Sequence, residues 1–371
     1  MSTFAINSLP LVSFPFKVSL PFIISGPCGV ESEKQVNDIA ASLKGTGVHL
    51  LRGGIWKPRT RPDSFQGIGK EGLKWLKQAG IANKIPVAVE VANPLHVEEA
   101  LLAGIDVLWI GARSTVNPFL VQEIANALSG VDIPVMVKNP VNPDLELWIG
   151  AFERLNRKGI NKVVAIHRGF SSAENSRYRN SPNWQIPIEL RRLFPDLPLI
   201  CDPSHIAGTR TYIAQIAQYA MDLNYDGLMI EVHTDPENAL SDKDQQLKPE
   251  ELIELLNNLI VRNSSVDDIV FLGLLDDLRS RIDTIDERIL SLMSERMGIA
   301  REIGQYKKEN NMTVLQVERW TEILRTRLKS GEIKELDRDF IIRLYSLIHD
   351  ESIRQQTEVF RLTDLKGELH K

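Results

Sequence analysis

Four side chains that could bind a metal ion lie far apart in the sequence: Cys28, His205, Glu231 and Asp242. A thiolate, an imidazole and two carboxylates form a mixed donor set, which suits Mn, Fe, Co or Zn better than Ca or Mg. A buried cysteine is often only a small core residue, and this is our interpretation of Cys201. Cys28 differs because it stands between Pro27 and Gly29 at the end of an apolar run. A metal site and a core role therefore both stay open for it.

A second group consists of cations that lie in or just after successive apolar runs. They are Arg52, Lys57, Arg59, Arg113, Lys138 and Arg168. Arginine binds carboxylate and phosphate through two parallel hydrogen bonds, and lysine adds a point charge. Charged residues most often form a solvated surface. The regular placement of these six favours a site for a phosphorylated, anionic substrate instead.

The elements that must bring these side chains together are eight short apolar runs in the first 262 residues, each followed by a helix-length amphipathic stretch. Eight such units predict a (β/α)8 TIM barrel of the α/β class, whose chemistry lies at the carboxyl ends of its strands. The runs are PFIISGPC, HLLRGG, PVAVEV, VLWIGAR, PVMVK, KVVAIHR, PLICDPSH and GLMIEVH. We further expect residues 3–20 to form a short hairpin that covers the amino-terminal end of the barrel.

The pattern changes after the predicted barrel domain, which spans residues 1–262. Residues 263–270 open with the polar stretch NSSVDD and predict a linker. From Leu275 an apolar stripe with alternating spacings of three and four residues predicts one long helix. Two more helices are expected at about 315–330 and 337–360. We therefore expect an all-α three-helix domain over 271–362 and a tail over 363–371, and dimerisation, because one long helix cannot bury its stripe alone.

Composition limits the possible classes of protein. The 371 residues are 43% hydrophobic and 25% charged with a net charge of −5, which is typical of globular proteins and gives no sign of a nucleic-acid partner. No apolar run approaches the roughly 20 residues that cross a bilayer, and the first 26 residues lack the pattern of a signal peptide. Two cysteines exclude a disulfide framework and favour the reducing cytoplasm. We expect no membrane partner and no organic cofactor.

Five motifs together resemble 3-deoxy-D-arabino-heptulosonate 7-phosphate synthase, in the branch close to 3-deoxy-D-manno-octulosonate 8-phosphate synthase. In chain order they are GPCGVES, LRGGIWKPRTRPDSFQGIG, IGAR, DPSH and EVHTDPENALSD. The resemblance covers about residues 20–262 and implies condensation of phosphoenolpyruvate with erythrose 4-phosphate. It implies that a divalent metal is held by Cys28, His205, Glu231 and Asp242, and that phosphoenolpyruvate is held by Arg52, Lys57, Arg113, Lys138 and Arg168. The loop that would bind erythrose 4-phosphate is Lys57, Pro58, Arg59 and Thr60.

The implied mechanism uses the metal as a Lewis acid on the aldehyde, followed by attack of the phosphoenolpyruvate carbon C3, addition of water at C2 and loss of phosphate. Three groups are candidates for handling the proton of the water: Lys57, Glu90 and His205. Two departures from the family pattern affect the loops around the substrates. Arg61 stands where serine is frequent, and Lys138 is followed by Asn-Pro rather than Arg-Gly.

One cation interrupts the apolar stripe of the long helix. Arg296 falls where an apolar residue is due, and on the last helix Ser352 and Gln356 continue an apolar stripe with polar side chains. Polar groups on a buried stripe need partners, which an internal ion pair or a pocket for an anion would both supply. The cations that could join Arg296 are Arg279, Lys307 and Arg319. This is more positive charge than a structural pair requires, so the pocket is favoured.

The helical segments LLDDLRSRIDTIDERILSLMSERMGIAREIGQYKKE, VLQVER and DFIIRLYSLIHDESIRQQ resemble the all-helical chorismate mutases over roughly residues 271–360. The resemblance implies a rearrangement of chorismate to prephenate, with arginines holding the two carboxylates and with Lys307 and Gln356 donating to the ether oxygen. The implied substrate-binding positions are Arg279, Arg296, Lys307, Gln316, Arg319, Ser352 and Gln356. Arg279 would reach the pocket of a partner subunit. Trp320 stands where many relatives have a glutamate for the substrate hydroxyl.

The sequence thus predicts a bifunctional enzyme of aromatic amino-acid biosynthesis, with an early and a late step of the shikimate route on one chain. It predicts small-molecule substrates, a homodimer or larger homo-oligomer, and inhibition of the condensation by prephenate or chorismate. Two alternatives stay open. The helical domain could be mainly a sensor and dimerisation module, or the barrel could use a different aldose, as an octulosonate or sialic-acid-type synthase does.

Overall fold

The computed structural model describes residues 6–57, 64–172, 177–262 and 267–368, with side chains as far as Arg361. The chain divides into two compact units, Met1–Ser264 and Ser265–Lys371. The division falls inside the predicted linker. The last two residues of that linker, Ile269 and Val270, already belong to the first long helix.

Eight parallel strands close the first unit into a barrel in the order β1 to β8, and the predicted TIM barrel is confirmed. The strands are short and almost fully buried, because a parallel sheet is covered on both faces. They are β1 (Phe22–Gly26), β2 (Leu50–Gly53), β3 (Val87–Val91), β4 (Val107–Ile110), β5 (Val135–Lys138), β6 (Val163–His167), β7 (Leu199–Cys201) and β8 (Gly227–Glu231).

Helices follow the strands and begin at residues that favour helix starts. Ser32, Asn93 and Asp144 each accept a hydrogen bond from the backbone N–H three residues further on, which satisfies a group that the helix leaves free. The helices are α1 (Glu33–Leu43), α2 (Lys70–Asn83), α3 (Pro94–Leu102), α4 (Ala112–Thr115), α5 (Pro118–Ala127), α6 (Leu145–Asn156), α7 (Gln185–Leu193), α8 (Pro203–Ala207), α9 (Ile213–Asp222) and α10 (Pro249–Asn258). Short 3-10 turns lie at Leu11–Ser13, Arg210–Tyr212, Pro236–Asn238 and Lys243–Gln245.

The segment before β1 covers the amino-terminal end of the barrel, but the expected hairpin is wrong. Within the described residues 6–20 it forms a 3-10 turn and no strand. Pro10 and Pro15 interrupt it, and proline has no N–H with which to complete a strand ladder. Leu11 and Phe14 are instead buried in the inner core of the barrel.

The inner core fills the amino-terminal part of the barrel and leaves the carboxyl end polar. Trp109 and Met136 are fully buried inside the barrel with other apolar side chains of the strands. Towards the strand ends the buried side chains are charged, namely Arg52, Lys138 and Glu231. The polar side chains of the barrel interior therefore lie at the carboxyl ends of the strands, as the sequence pattern predicts.

The second unit consists of three helices, α11 (Ile269–Glu309), α12 (Val317–Ile333) and α13 (Arg338–Glu368). Helix α11 packs against α13 where its residues are small. A Cβ on Gly304 would lie 3.0 Å from Cα of Gln356, so glycine lets the two helices approach closely. In the single chain the apolar stripe of α11 is 46–63% exposed at Leu278, Ile282, Ile285, Ile289 and Leu292.

Within the described ranges, no helix has the length and apolar character that crossing a membrane requires.

Candidate functional site

The four predicted metal ligands lie at the carboxyl end of the barrel. Glu231 ends β8, His205 lies in α8 directly after β7, and Cys28 comes two residues after β1. Gly26 ends β1 with φ of +150°, and a Cβ there would lie 2.0 Å from the carbonyl oxygen of Arg52. Only glycine lets the chain pass β2 at this distance, which sets the position of Cys28.

The structure brings these ligands together as two neighbouring pairs. Cys28 Sγ lies 3.3 Å from Asp242 Oδ2, and His205 Nε2 lies 3.8 Å from Glu231 Oε1. Over the ranges that the structure describes, no group of three or more His, Cys, Asp and Glu is close enough to form a complete metal site. The donors are thus adjacent but are not arranged around one common point.

Each acidic group of the site faces a cation. Lys57 Nζ donates to Cys28 Sγ at 2.7 Å, and Arg179 Nη1 donates to Asp242 Oδ1 at 2.7 Å. Arg52 Nη1 lies 3.0 Å from Glu231 Oε1, although the orientation of the two groups does not make a hydrogen bond. A positive charge therefore lies next to the thiol and next to each carboxylate of the donor set.

Burial and charge set the protonation states of the donors. Burial raises the pKa of the Cys28 thiol to about 12, and the nearby charge of Glu231 raises it as well. Burial also opposes ionisation of Glu231, but His205, Arg52 and Lys57 hold its pKa below the usual range. The carboxylate is therefore charged while the thiol keeps its proton. A bound divalent cation deprotonates a coordinating thiol, so this buried cysteine is compatible with a metal ligand.

Two atoms of the donor set could turn to a metal without breaking a hydrogen bond. His205 Nδ1 is 3.0 Å from Asp202 Oδ1, which fixes the ring and leaves Nε2 facing Glu231. Glu231 Oε2 accepts a hydrogen bond from Gln245 at 2.7 Å, whereas Oε1 is buried and accepts none from the described residues. A ligating histidine that is oriented by a carboxylate is typical of metal centres. The donor set and these two atoms fit a borderline divalent ion.

The predicted anion-binding cations lie beside this donor set. Lys138 is buried and donates to Asp202 Oδ2 at 2.7 Å. Burial lowers the pKa of Arg168 to about 10, and the charges of Arg179 and Arg113 oppose its protonation as well. Arg113 is exposed at the start of α4. Like charges held this close together favour the binding of an anion.

Arg52 is the most buried of these cations. Its side chain is 2% exposed and its guanidinium lies over the ring of Trp109, 5.0 Å from the ring centre. Nε and Nη1 are buried and make no hydrogen bond to the described residues. A buried guanidinium whose Nε and Nη1 make no hydrogen bond within the described chain is suited to a carboxylate or phosphate, which accepts two parallel bonds.

Part of the predicted sugar-phosphate loop lies outside the described residues, namely Pro58, Arg59 and Thr60. The described chain leads into this loop through Trp56, which stacks on His96 with 3.9 Å between ring centres. Lys57 follows directly and lies in the site. The contacts expected of the other three loop residues stay predictions.

Several polar residues that organise the barrel site were not predicted from the sequence. Arg179 also donates to Gln245 Oε1 at 2.8 Å, and Asn180 Oδ1 accepts a bond from Arg168 Nη1 at 2.7 Å. Gln246 Oε1 accepts the backbone N–H of Cys28 at 2.9 Å. These residues lie in loops after β6 and β8 rather than at strand ends. The only signal for the glutamines was their position shortly after the Asp242 motif.

The second unit contains a cavity of about 380 Å³ between its helices. Six of the seven residues predicted to bind substrate there line it: Arg296, Lys307, Gln316, Arg319, Ser352 and Gln356. Arg296 Nη1 donates to Ser352 Oγ, and Lys307 Nζ donates to the carbonyl oxygen of Val314 at 2.6 Å. Three cations thus surround one cavity, which suits a dianionic ligand.

The seventh predicted residue, Arg279, does not line this cavity. Its side chain is 63% exposed on α11 and lies 3.2 Å from Asp276 of the same helix. The expected contact with a partner subunit stays a prediction. Trp320 does line the cavity, where it stacks on His349 with ring centres 4.1 Å apart and an angle of 8° between the planes.

Each of the two units matches the model of a known protein family. The model of the DAHP synthetase I family matches residues 19–266, and that of chorismate mutase type II matches residues 278–357. A phospho-2-dehydro-3-deoxyheptonate aldolase of Thermotoga maritima is 32% identical over 241 residues, which cover 64% of this chain and 68% of that protein. A 2-dehydro-3-deoxyphosphooctonate aldolase of Desulfatibacillum aliphaticivorans is 28% identical over 257 residues, covering 64% of this chain and 90% of that protein.

The crystal structure of the Thermotoga maritima protein superposes with a TM-score of 0.61 at 29% identity, covering 68% of this chain and 72% of that chain. The first family model spans the barrel and the second lies within the helical unit. The two resemblances noted in the sequence are thereby confirmed. From these matches, the chain belongs to the DAHP synthetase I family and carries a chorismate mutase type II domain after its barrel.

Proposed function

We propose that this chain catalyses two steps of aromatic amino-acid biosynthesis at two separate sites. The barrel condenses phosphoenolpyruvate with erythrose 4-phosphate to 3-deoxy-D-arabino-heptulosonate 7-phosphate and phosphate. The helical unit rearranges chorismate to prephenate. The observation that carries the first activity is the group of buried cations, Arg52, Lys138 and Arg168, beside a thiol, an imidazole and two carboxylates.

In the barrel, the cations hold the anionic substrates. Phosphoenolpyruvate brings a phosphate and a carboxylate, and erythrose 4-phosphate brings a second phosphate, so the reactants repel each other in the absence of positive charge. Nε and Nη1 of Arg52 make no hydrogen bond to the described residues, while Arg168 and Lys138 lie buried at neighbouring strand ends. Arg113 and Lys57 complete the phosphoenolpyruvate site in this proposal. These side chains orient C3 of phosphoenolpyruvate towards the aldehyde.

A divalent ion, Mn, Fe, Co or Zn, held by Cys28, His205, Glu231 and Asp242 would act as a Lewis acid on the aldehyde carbonyl. Asp202 keeps the His205 ring in the orientation that this role needs. The proton of the attacking water passes to one of three nearby groups. Of these, Glu90 already accepts a hydrogen bond from Trp109 at 3.2 Å, whereas Lys57 and His205 lie among the metal donors.

The direct test measures phosphate release from phosphoenolpyruvate with a panel of aldoses, with and without a chelator. We expect release with erythrose 4-phosphate, loss of release with the chelator, and recovery when a divalent metal is added back. Chorismate consumption by the same sample should not respond to the chelator. A preference for arabinose 5-phosphate would favour an octulosonate synthase and contradict the proposed substrate.

In the helical cavity, catalysis needs positioning rather than covalent chemistry. Arg296 and Arg319 are placed to hold the substrate carboxylates, with the hydroxyl of Ser352 beside Arg296. Lys307 and Gln356 line the same cavity and donate to the ether oxygen as its bond to carbon breaks. Gln356 is buried on α13, so its amide is held in place by the packing around it.

We propose that the helical unit dimerises through the exposed stripe of α11. Five large apolar side chains at half exposure form a continuous face, and monomeric proteins rarely leave such a face in water. Arg279 lies on the same helix and projects into solvent. In a dimer it would complete the cavity of the partner subunit, so that the mutase would need two chains.

Mixing two inactive variants tests this arrangement. Arg279→Ala and Arg296→Ala should each lose most mutase activity as pure proteins. After subunit exchange, half of the dimers are mixed and each mixed dimer has one intact site, so the 1:1 mixture should recover about a quarter of the wild-type rate. Chorismate consumption before and after exchange measures this. No recovery would place Arg279 outside the partner's site.

We also propose that prephenate or chorismate inhibits the condensation in the intact chain. The helical cavity already binds both molecules in this proposal, and the two units are joined by a short connection. A ligand that binds one arrangement of the domains more tightly shifts the barrel towards that arrangement, and a coupling of about 1–3 kcal/mol gives several-fold inhibition.

The measurement is the condensation rate against prephenate concentration, for the intact chain and for the Arg296→Ala variant. We expect inhibition of the first and weakened inhibition of the second, because the variant loses a carboxylate contact in the cavity. Equal inhibition of both proteins would place the inhibitor in the barrel and contradict the sensor role.

The remaining assignments complete the proposal. We place the barrel domain at 1–262, the linker at 263–270, the mutase domain at 271–362 and a tail at 363–371. Both cysteines are buried and free. Free thiols are kept reduced in the cytosol, so we propose that the protein is cytoplasmic.

A further inference from the structure

Hydrogen-bond acceptors are scarce in the cavity of the helical unit. Arg296, Lys307 and Arg319 can only donate, and so can the indole of Trp320. The hydroxyl of Ser352 already accepts from Arg296 and donates to the carbonyl oxygen of Ile348 at 2.6 Å. Chorismate carries a ring hydroxyl besides its two carboxylates and its ether. The carboxylates suit the cations, whereas the hydroxyl also needs an acceptor.

His349 is an acceptor that lines this cavity and has no role in the site described so far. It precedes Ser352 by three residues and Gln356 by seven on α13, so the three side chains share one face of the helix. Its ring lies flat against Trp320, with 4.1 Å between centres and 8° between planes. The stack holds the imidazole in one orientation.

One nitrogen of this ring is left without a partner. Nε2 of His349 is buried and makes no hydrogen bond to any residue in the described part of the chain. Buried polar atoms in native proteins are nearly always paired, and an exception calls for a functional explanation. A ligand in the cavity would supply the missing partner.

The imidazole is neutral at physiological pH and therefore keeps one nitrogen as an acceptor. Burial lowers the pKa of His349, and the charges of Arg296 and Lys307 lower it further, against the opposing effect of Asp350. Two glutamines that line the cavity also carry acceptor oxygens. Gln356 Oε1 is buried and unpaired among the described residues and lies two helical turns, or about 10 Å, along α13 from His349, whereas Gln316 is exposed. The amide of Gln356 is assigned to the ether oxygen.

We propose that His349 accepts a hydrogen bond from the ring hydroxyl of chorismate and is a specificity-determining residue of the mutase site. Trp320 is a positioning residue that fixes the ring of His349. The pair replaces a single carboxylate acceptor, which the indole of Trp320 cannot provide. This proposal rests on the assignment of the helical cavity as the mutase site.

The experiment compares kcat and KM for chorismate and for its analogue without the ring hydroxyl, using the full chain. His349→Leu should lower kcat/KM for chorismate by about 10-fold to 100-fold, the range for one lost hydrogen bond to a substrate. The loss should lie mainly in KM, because the hydroxyl takes no part in the bonds that change. The deoxy analogue should be converted equally well by wild type and variant.

A second variant separates the proposed contact from a structural role of the stack. Trp320→Glu introduces a carboxylate acceptor, so the double variant Trp320→Glu with His349→Leu should regain most of the kcat/KM for chorismate. A purely structural role would give equal losses for chorismate and analogue and no recovery in the double variant. Either result overturns the proposal.

The same assay distinguishes failure of this proposal from failure of the site assignment. Arg296→Ala should lose activity towards both substrates, because both carry the carboxylates. In one outcome Arg296→Ala loses activity, but the ratio of kcat/KM for chorismate to kcat/KM for the analogue is the same in His349→Leu as in wild type. That outcome refutes only the role of His349. If Arg296→Ala is fully active, the cavity is not the mutase site and both assignments fall.

Discussion

Replacing Cys28 by alanine is expected to abolish the condensation while leaving chorismate turnover within about twofold of wild type. The variant loses a donor of the proposed metal site, and Lewis-acid stabilisation of several kcal/mol corresponds to a loss of roughly 1000-fold or more. The mutase cavity belongs to the other compact unit, so the rate of chorismate turnover should not fall with the rate of condensation. Phosphate release, chorismate consumption and metal content of the same preparation measure the effect.

Cys201→Ala is the matched control for this variant. Cys201 is equally buried but lies in the hydrophobic core at the end of β7. Its replacement should leave the metal content and the condensation rate nearly unchanged. The only expected effect is a small loss in the free energy of unfolding, because a buried side chain becomes smaller. Substantial metal-dependent condensation by the Cys28→Ala protein would show that the proposed ligand set is wrong.

Lys307→Ala and Arg296→Ala are expected to lower mutase turnover by about 100-fold each, which is the typical effect of removing one donor that stabilises the transition state. Lys307 Nζ is held by the carbonyl oxygen of Val314, so the ammonium is already positioned before substrate binds. Chorismate consumption under saturating substrate gives the loss in kcat.

Arg301→Ala serves as the control on the same helix. Arg301 carries the same charge as Arg296 but is exposed and donates to Gln355 at 2.9 Å, outside the cavity. Its removal should change mutase turnover little, because a surface contact contributes under about 1 kcal/mol. Full activity of Lys307→Ala would refute the assignment of the ether-oxygen donor.

The barrel and its polar end could be predicted because each strand carries its own signal. A buried parallel strand must be apolar along its length, so a charged residue at its end, such as Lys138 or Glu231, is conspicuous. The same reasoning could not find Arg179 or Asn180. They lie in a loop whose path depends on packing between distant parts of the chain, and no periodic pattern marks them.

The helical unit shows a different limit. Spacings of three and four residues were enough to predict that Arg296, Ser352 and Gln356 share a buried region. They did not mark His349, because a histidine on a mostly apolar stripe is more often a core residue. Only the stack on Trp320 and the unpaired Nε2 distinguish it. Its environment depends on the packing of α12 against α13, which a pattern within one helix does not contain.

The segment before β1 has a consequence for the order in which the barrel forms. Leu11 and Phe14 enter a core that includes Ile200 and Met229, and the backbone N–H of Leu9 bonds to the carbonyl oxygen of Asn161 at 2.8 Å. These partners follow it by more than a hundred residues, so the contacts have high sequence separation and their loop-closure entropy makes them slow to form. During synthesis this segment would emerge before the strands that it contacts, and it would be among the last parts of the barrel to be buried. The segment would complete the core of the barrel only after β8 has been made, which leaves Leu11 and Phe14 accessible to chaperones until that moment.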